Sequence, residues 1–149
     1  MDIRAFQPAD EEAVITLWRA CGLVASQNDP RADIRRKLAV APELFLVGTL
    51  DGEVVATVMA GYEGHRGWIN YLAVSPRCQR GGLGREMMAR AEEMLRARGC
   101  PKINLQVRST NAAVLAFYRR IGFAMDDVVS LGKRLMSDAT PDDARPTPP

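Results

Sequence analysis

Apolar residues recur along the first part of the chain at the spacing of helices. After Pro8 and Asp10, one helical face is indicated by residues spaced i, i+3, i+4 and i+7, namely Val14, Leu17, Trp18 and Cys21. Residues 2–6 precede this helix and alternate as a short strand. A second helix is predicted over about 31–40, and Pro42 ends it.

The middle of the chain changes to the pattern of strands. The runs ELFLVGTL and EVVATVMAGY are β-rich and are joined by Asp51-Gly52, a preferred two-residue hairpin turn. The glycine-rich loop GYEGHRG leads into WINYLAV, which is mostly apolar on both faces and is therefore predicted to be a central strand. Together these segments predict an antiparallel meander.

The second half of the chain alternates helix and strand. A helix is predicted over 83–98, with Gly99 closing it and the strand KINLQV following. This succession predicts a right-handed crossover between parallel strands. Asn111 then caps a helix that ends at Gly122, and VVSLGKRL is predicted to be the last strand. Residues 137–149 are rich in proline and carry no aliphatic side chain larger than alanine, so we expect a disordered tail.

Composition and charge exclude several classes of protein. The chain has 149 residues with 47% hydrophobic and 26% charged content, so it can bury one core and stay soluble. A formal charge of +2 is too balanced for a typical nucleic-acid-binding protein. No apolar run approaches the roughly 20 residues that span a bilayer, and the charged N-terminus has no signal-peptide core. We therefore expect a cytoplasmic protein without a membrane partner.

Cysteine and histidine usage argues against a metal site. The cysteines at positions 21, 78 and 100 form no CxxC pair, and His65 is the single histidine. We therefore expect reduced thiols, no disulfide framework and no metal cofactor.

The segment SPRCQRGGLGREM places three glycines between a predicted strand and a predicted helix. The first N–H groups of a helix have no internal partner and carry the positive end of the helix dipole, so this position suits a phosphate. Without Cβ atoms at Gly81, Gly82 and Gly84, a ligand can approach the backbone closely. Neither G-K-[ST] nor G-x-G-x-x-G is present, which argues against a P-loop and a dinucleotide site. A flexible turn is the remaining alternative.

Two motifs at the expected separation resemble those of the GNAT superfamily of acetyl-CoA-dependent N-acetyltransferases. Gln79-x-x-Gly82-x-Gly84 matches the Q/R-x-x-G-x-G/A signature, and STNAAVLAFYRRIGF is similar to the second signature of that family. The order of elements is similar over residues 2–135. Within the family the chain resembles the bacterial YpeA-type branch in segments such as GYEGHRG and SLGKRL.

The resemblance implies an α/β fold in a single domain over residues 1–136. The implied mixed sheet is mostly antiparallel, with about six or seven strands, about four flanking helices and a splay between the fourth and fifth strands. The family usually has a basic residue where this chain has Gly81. Arg80 is the candidate replacement for that charge, and the backbone cradle is expected to persist.

The resemblance also implies where acetyl-CoA binds. The pantetheine arm is expected beside Leu72, Ala73 and Val74, with a backbone N–H near Leu72 or Ala73 polarising the thioester carbonyl. Asn111 is expected to contact this arm in addition to capping its helix. The pyrophosphate is expected on the backbone of the loop and the first helical turn, with arginines adding charge: Gln79, Arg80, Gly81, Gly82, Leu83, Gly84 and Arg85.

The same resemblance assigns the acid and leaves the base open. Tyr118 matches the family's general acid and would contact the cofactor where the thiolate leaves, with plain core packing as the alternative role. Glu63 is the best candidate for the general base, acting directly or through water, and Tyr71 and His65 are weaker candidates. A solvated loop pair is the alternative for Glu63 and His65.

The implied function is transfer of an acetyl group from acetyl-CoA to a primary amine by direct attack in a ternary complex. A non-catalytic acyl-CoA-binding or regulatory module on the same fold is the alternative, and a nucleic-acid binder is disfavoured by the charge. The acceptor, whether a peptide or protein amine or a small molecule, is left open, as is a homodimer.

Overall fold

The computed structural model describes residues 1–26 and 28–137. Residues 138–149 of the predicted tail lie outside the described residues. No helix in the described ranges is long and apolar enough to cross a membrane. The main elements in chain order are β1 (Asp2–Ala5), α1 (Glu11–Ala20), α2 (Pro30–Leu38), β2 (Phe45–Leu50), β3 (Glu53–Tyr62), β4 (Gly67–Val74), α3 (Leu83–Ala97), β5 (Ile103–Asn104) and α4 (Ala112–Arg120).

The strands form one mixed sheet in the order β1-β2-β3-β4-β5. All neighbouring pairs are antiparallel except β4 and β5, which are parallel and joined by α3. The predicted hairpin between β2 and β3 is confirmed, with φ of 50° at Asp51 and 79° at Gly52. Positive φ at both central residues is the geometry that favours an Asp-Gly turn.

Two irregularities in β4 shape the middle of the sheet. Thr57 of β3 pairs with Ala73, whereas Met59 pairs with Asn70, so Tyr71 and Leu72 together stand opposite one residue of β3. This is a β-bulge, which bends a strand and interrupts its ladder. On its other side β4 pairs with β5 only at Gly67 and Trp68, so the two strands separate before the bulge. The implied splay between the fourth and fifth strands is therefore present.

Helices cover both faces of the sheet, as the amphipathic patterns predict. On one face, α3 and Tyr118 of α4 pack on a cluster that includes Leu46, Val58 and Ile69. On the other face, α1 and α2 pack on Phe45, Val47, Met59 and Ala73. Alternate residues of β2 thus belong to different clusters, as expected for a strand buried on both sides.

The C-terminal part of the sheet is smaller than the sequence implies. The described residues form five strands rather than six or seven, and β5 covers only part of KINLQV. VVSLGKRL forms no strand, and Val129 and Leu131 are 84% and 92% exposed. A hydrogen bond from Gln106 Nε2 to Ser130 Oγ joins this segment to the chain after α3. Just before the segment, an ion pair of 2.7 Å links Lys102 Nζ and Asp126 Oδ2. The predicted mixed α/β class is confirmed, whereas the predicted six or seven strands are corrected to five among the described residues.

Candidate active site

The loop between β4 and α3 carries consecutive backbone N–H groups that donate to no other described residue. The Cys78 N–H donates to Ser75 O at 2.8 Å, and the next N–H to donate is that of Glu86, to Gly82 O at 3.1 Å. The groups from 79 to 85 lie between these two bonds and include the first turn of α3. Because such N–H groups and the helix dipole both favour negative charge, the loop suits an anion.

The backbone of this loop alternates between conformations. Arg80 and Gly82 have φ of 68° and 84°, with Gly81 between them outside the left-handed region. Alternation of this kind turns successive N–H groups into a concavity that binds anions. Gln79 Nε2 donates to Val74 O at 3.1 Å and so joins the loop to the end of β4.

The glycines of the loop have different physical roles. Gly82 is the N-cap of α3 and lies in the left-handed region, where a Cβ would be strained. A Cβ on Gly84 would lie 3.3 Å from Phe117 Cζ, so this glycine permits close packing of α3 on α4. At Gly81 an added Cβ would meet only Cys78 O, at an ordinary distance of 3.6 Å. Packing therefore explains Gly84 and leaves Gly81 replaceable.

The bulge of β4 is held by a chain of contacts from α1 and β3. Tyr71 has a φ of 51°, which is unusual for an aromatic residue. The Trp18 ring stacks on the Tyr71 ring with centroids 3.8 Å apart, and Trp18 Nε1 donates to Thr57 Oγ1 at 2.9 Å. Thr57 Oγ1 in turn donates to Tyr71 O at 2.8 Å. The fully buried Thr57 hydroxyl therefore fixes the backbone at the bulge.

Tyr118 lies on the face of the sheet opposite to Tyr71. It is 8% exposed and packs in the cluster that Leu72 and Val74 also contact. Its ring meets those of Phe117 and Phe123 edge-on, at centroid distances of 5.1 Å and 5.4 Å. Burial raises the pKa of Tyr118 to about 12, so the phenol stays protonated at neutral pH.

Asn111 and Glu63 both accept backbone hydrogen bonds in their own segments. Asn111 Oδ1 accepts from the Val114 N–H at 3.2 Å, which confirms the predicted cap of α4. The Glu63 carboxylate accepts from the N–H groups of His65 and Arg66 at 3.0 Å and 2.5 Å, in the turn between β3 and β4. From this turn to the bulge, β4 runs about 13 Å at the rise of a strand. The structure therefore does not bring Glu63 and the bulge together.

A cavity of about 480 Å³ lies beside the bulge, lined by Asn28, Asp33, Arg36, Lys37, Val40, Met59, Asn70 and Tyr71. Within it the Tyr71 hydroxyl donates to Asp33 Oδ2 at 2.5 Å, and Arg36 Nη1 lies 3.1 Å from Asp33 Oδ1. Lys37 Nζ donates to Ala60 O at 2.5 Å, and burial lowers the pKa of this lysine. The cavity thus joins α2 to the residue at which β4 bulges.

Sequence reasoning missed Trp18, Thr57 and Asp33 as parts of this site. Trp18 and Asp33 belong to helices whose pattern indicates packing alone, and Thr57 belongs to a strand with no motif. The Asp33–Tyr71 bond spans 38 residues, so no local spacing could reveal it. Within residues 1–26 and 28–137, no group of three or more His, Cys, Asp or Glu side chains could hold a metal ion.

The fold and the loop define an acetyltransferase of the GNAT class. Residues 11–123 match the family model described as the acetyltransferase (GNAT) family, and the chain belongs to that family. The chain is 49% identical over 138 residues to acetyltransferase ECA0875 of Pectobacterium atrosepticum, covering 93% of this chain and 98% of the relative. The prediction of an acetyl-transferring enzyme is thereby confirmed.

Solved structures share the fold. Ard1 from Thermoplasma volcanium superposes with a TM-score of 0.73 at 26% identity, covering 84% of this chain and 83% of its own. AAC(6′)-Iy, solved in complex with the bisubstrate analogue CoA-S-monomethyl-acetylneamine, superposes with a TM-score of 0.73, covering 89% of this chain and 97% of its own. At 18% identity the second likeness concerns the fold alone.

Proposed function

We propose that the protein transfers the acetyl group of acetyl-CoA to a primary amine by direct attack in a ternary complex. The observation that carries the proposal is the order of features along one segment: a bulge at Tyr71 and Leu72, a strand end at Val74, and the N–H groups of residues 79–85. A thioester on a phosphate-bearing arm needs these features in this order. The CoA-containing analogue bound by AAC(6′)-Iy, which has the same fold, supports the choice of ligand.

The loop residues are proposed to bind the pyrophosphate. The backbone N–H groups from Gln79 to Arg85 would donate to its oxygens, and the Arg80 and Arg85 side chains would add charge. The close packing that Gly84 permits would keep the first turn of α3 against β4 and α4. The ligand and the residues therefore fit in charge and in backbone access.

The end of β4 is proposed to bind the pantetheine arm and the thioester. Beyond Trp68 the edge of β4 no longer pairs with β5, so Leu72, Ala73 and Val74 can offer backbone groups to an extended ligand. The bulge would direct a backbone N–H at Leu72 or Ala73 toward the carbonyl oxygen, where negative charge develops during attack. Asn111 is proposed to contact the arm from the start of α4.

Tyr118 is proposed to donate the proton that the departing thiolate needs. Its raised pKa keeps the proton on the phenol until the carbon–sulfur bond breaks. Because a phenol is a weaker acid than a thiol, transfer must be concerted with that bond cleavage. Glu63, the candidate base from the sequence, would need a chain of waters to accept a proton from an amine at the bulge, because about 13 Å of β4 separate its turn from the bulge.

Release of free CoA thiol over a panel of amines tests the proposal. The panel contains a lysine side chain in a blocked peptide, the α-amino group of an uncharged peptide, and small polyamines. We expect acetyl-CoA to raise the Tm of the protein and at least one amine to give turnover with an acetylated product of the correct mass. No thermal shift and no turnover would contradict it.

A further inference from the structure

The hydrogen bond between Asp33 and Tyr71 joins two residues that line the cavity beside the bulge of β4. Resting on the proposed function, we propose that these two residues form the proton-accepting group of the reaction: the Tyr71 oxygen contacts the amine, and Asp33 takes the phenolic proton. The acceptor would then occupy the cavity beside the bulge. Asp33, on α2, thus joins Glu63, Tyr71 and His65 as a candidate for the proton-accepting group.

The geometry of the pair determines which atom faces the amine. Asp33 Oδ2 accepts from the Tyr71 hydroxyl at 2.5 Å, and Asp33 Oδ1 contacts Arg36 Nη1 at 3.1 Å. Because the phenolic hydrogen is already donated in the hydrogen bond to the carboxylate, the phenolic oxygen can only accept a hydrogen bond from another donor. An ammonium or amine N–H is such a donor. A proton can therefore pass from the amine to the Tyr71 oxygen while the phenolic proton passes to Asp33.

The Tyr71 ring is held in place by residues outside the cavity. Trp18 stacks on it with the ring planes 12° apart, and Thr57 holds the Tyr71 carbonyl. Neither Trp18 nor Thr57 lines the cavity. They are positioning residues, which fix the hydroxyl relative to the backbone N–H of the next residue, Leu72. This arrangement suits a group that must meet a reacting atom within tenths of an ångström.

The two proton transfers would occur on opposite faces of β4. Tyr71 packs with the cluster of α1 and α2, whereas Leu72 and Tyr118 belong to the cluster of α3 and α4. Successive residues of a strand face opposite sides of the sheet, so Tyr71 and Leu72 lie on different faces at the position where β4 has separated from β5. An amine can therefore approach the thioester from the Tyr71 side while the sulfur leaves toward Tyr118.

The step balances with the groups named. The amine nitrogen forms a bond to the carbonyl carbon, and the carbon–sulfur bond breaks with its electron pair going to sulfur. An ammonium first gives one proton to the Tyr71 oxygen, whose own proton moves to Asp33 and then to bulk water. After the nitrogen has bonded to the carbonyl carbon, its second proton leaves by the same route. Tyr118 gives its phenolic proton to the thiolate, and bulk water later restores Tyr118 and removes the proton from Asp33. No oxidant, metal or further co-reactant is needed.

Asp33→Asn is the decisive variant, because it keeps an oxygen acceptor for the Tyr71 hydroxyl and removes the negative charge. With the panel amine that the wild type acetylates fastest, we expect kcat/KM to fall about 100-fold. Acetyl-CoA affinity by calorimetry should stay within twofold and the Tm within a few degrees. Tyr71→Phe, which keeps the ring against Trp18, should give a similar loss. Glu93→Gln, which neutralises an exposed carboxylate paired with Arg90 on α3, is the matched control and should stay within threefold of the wild type.

Amines of different basicity show whether Asp33→Asn loses activity through impaired proton removal or through structural damage. A lysine-type amine, with a pKa of about 10.4, must lose a proton at neutral pH, whereas a peptide α-amino group, at about 7.7, is partly neutral. The defect of Asp33→Asn should therefore be larger for the lysine-type amine, and a uniform loss over all amines would overturn the inference. Full activity of Asp33→Asn beside an inactive Glu63→Gln would also overturn it and would select Glu63. Absence of wild-type turnover overturns the proposed function and this inference together.

Discussion

Trp18 and Tyr71 stack face to face, with ring centroids 3.8 Å apart, although Tyr71 lies in the left-handed region of backbone space. The indole N–H and the Tyr71 carbonyl meet at one atom, the buried Thr57 hydroxyl oxygen. A strained backbone persists only where its surroundings determine it, and here three elements contribute: α1, β3 and β4. Specific contacts from three elements therefore hold the bulge in its strained conformation.

Thr57→Val should loosen the bulge without opening a cavity, because valine has nearly the same shape as threonine. The substitution leaves the Trp18 N–H and the Tyr71 carbonyl without their shared partner in a fully buried position. We expect the free energy of unfolding to fall by about 2 kcal/mol, measured by urea denaturation. Turnover should fall as well, with acetyl-CoA affinity retained. Thr110→Val, at an exposed position, is the control and should leave the free energy of unfolding and the turnover unchanged.

Tyr118→Phe should separate binding from chemistry. The hydroxyl is the only group removed, and the edge-on contacts of the ring with Phe117 and Phe123 remain. We expect kcat to fall about 100-fold while calorimetry gives an acetyl-CoA affinity within twofold of the wild type. Equal rates of CoA release from the two proteins would show that Tyr118 is not the acid.

The raised pKa of Tyr118 also predicts how stability depends on alkaline pH. In the unfolded chain the phenol ionises near its ordinary pKa of 10.0, whereas in the folded protein it does so only near about 12. Below pH 10 both states hold the proton; between these values only the unfolded state loses it, so stability falls as pH rises. Between pH 9.5 and 11.5 the wild type should lose about 2 kcal/mol more than Tyr118→Phe, followed by urea unfolding. A parallel pH dependence of the two proteins would contradict the assigned burial.

The parts of the fold with local signals could be predicted from the sequence. Asp51-Gly52 determines its hairpin because both residues adopt positive φ, and Asn111 marks its helix because its side chain accepts a nearby N–H. The loop before α3 is equally local, since its glycines and the following helix suffice to indicate an anion site. These features needed no knowledge of distant contacts.

The remaining features depend on contacts between distant segments. VVSLGKRL has the composition of a strand, yet a strand needs a partner edge, and β5 offers only two paired residues. The Asp33–Tyr71 bond joins a helix to a strand 38 residues later, and each residue alone fits an ordinary surface or core position. Sequence patterns predict which faces are buried, and they carry little information about which polar atoms meet.

Gly81 stands where the family usually has a basic residue, and a substitution can restore that basic residue. An added Cβ there meets only Cys78 O at 3.6 Å, and the backbone of Gly81 is not left-handed, so a side chain fits without strain. Gly81→Arg should bind acetyl-CoA about threefold to fivefold more tightly at low ionic strength, because it adds a cation beside the loop N–H groups. The gain in affinity should shrink in high salt, where the charge is screened.

Two alanine variants serve as controls for the backbone of the loop. Gly81→Ala should leave acetyl-CoA affinity unchanged, and Gly82→Ala, at φ of 84°, should weaken it by straining the loop. Calorimetry on the three variants decides between charge and backbone: an equal gain in Gly81→Ala would show that the effect of arginine lies in loop rigidity.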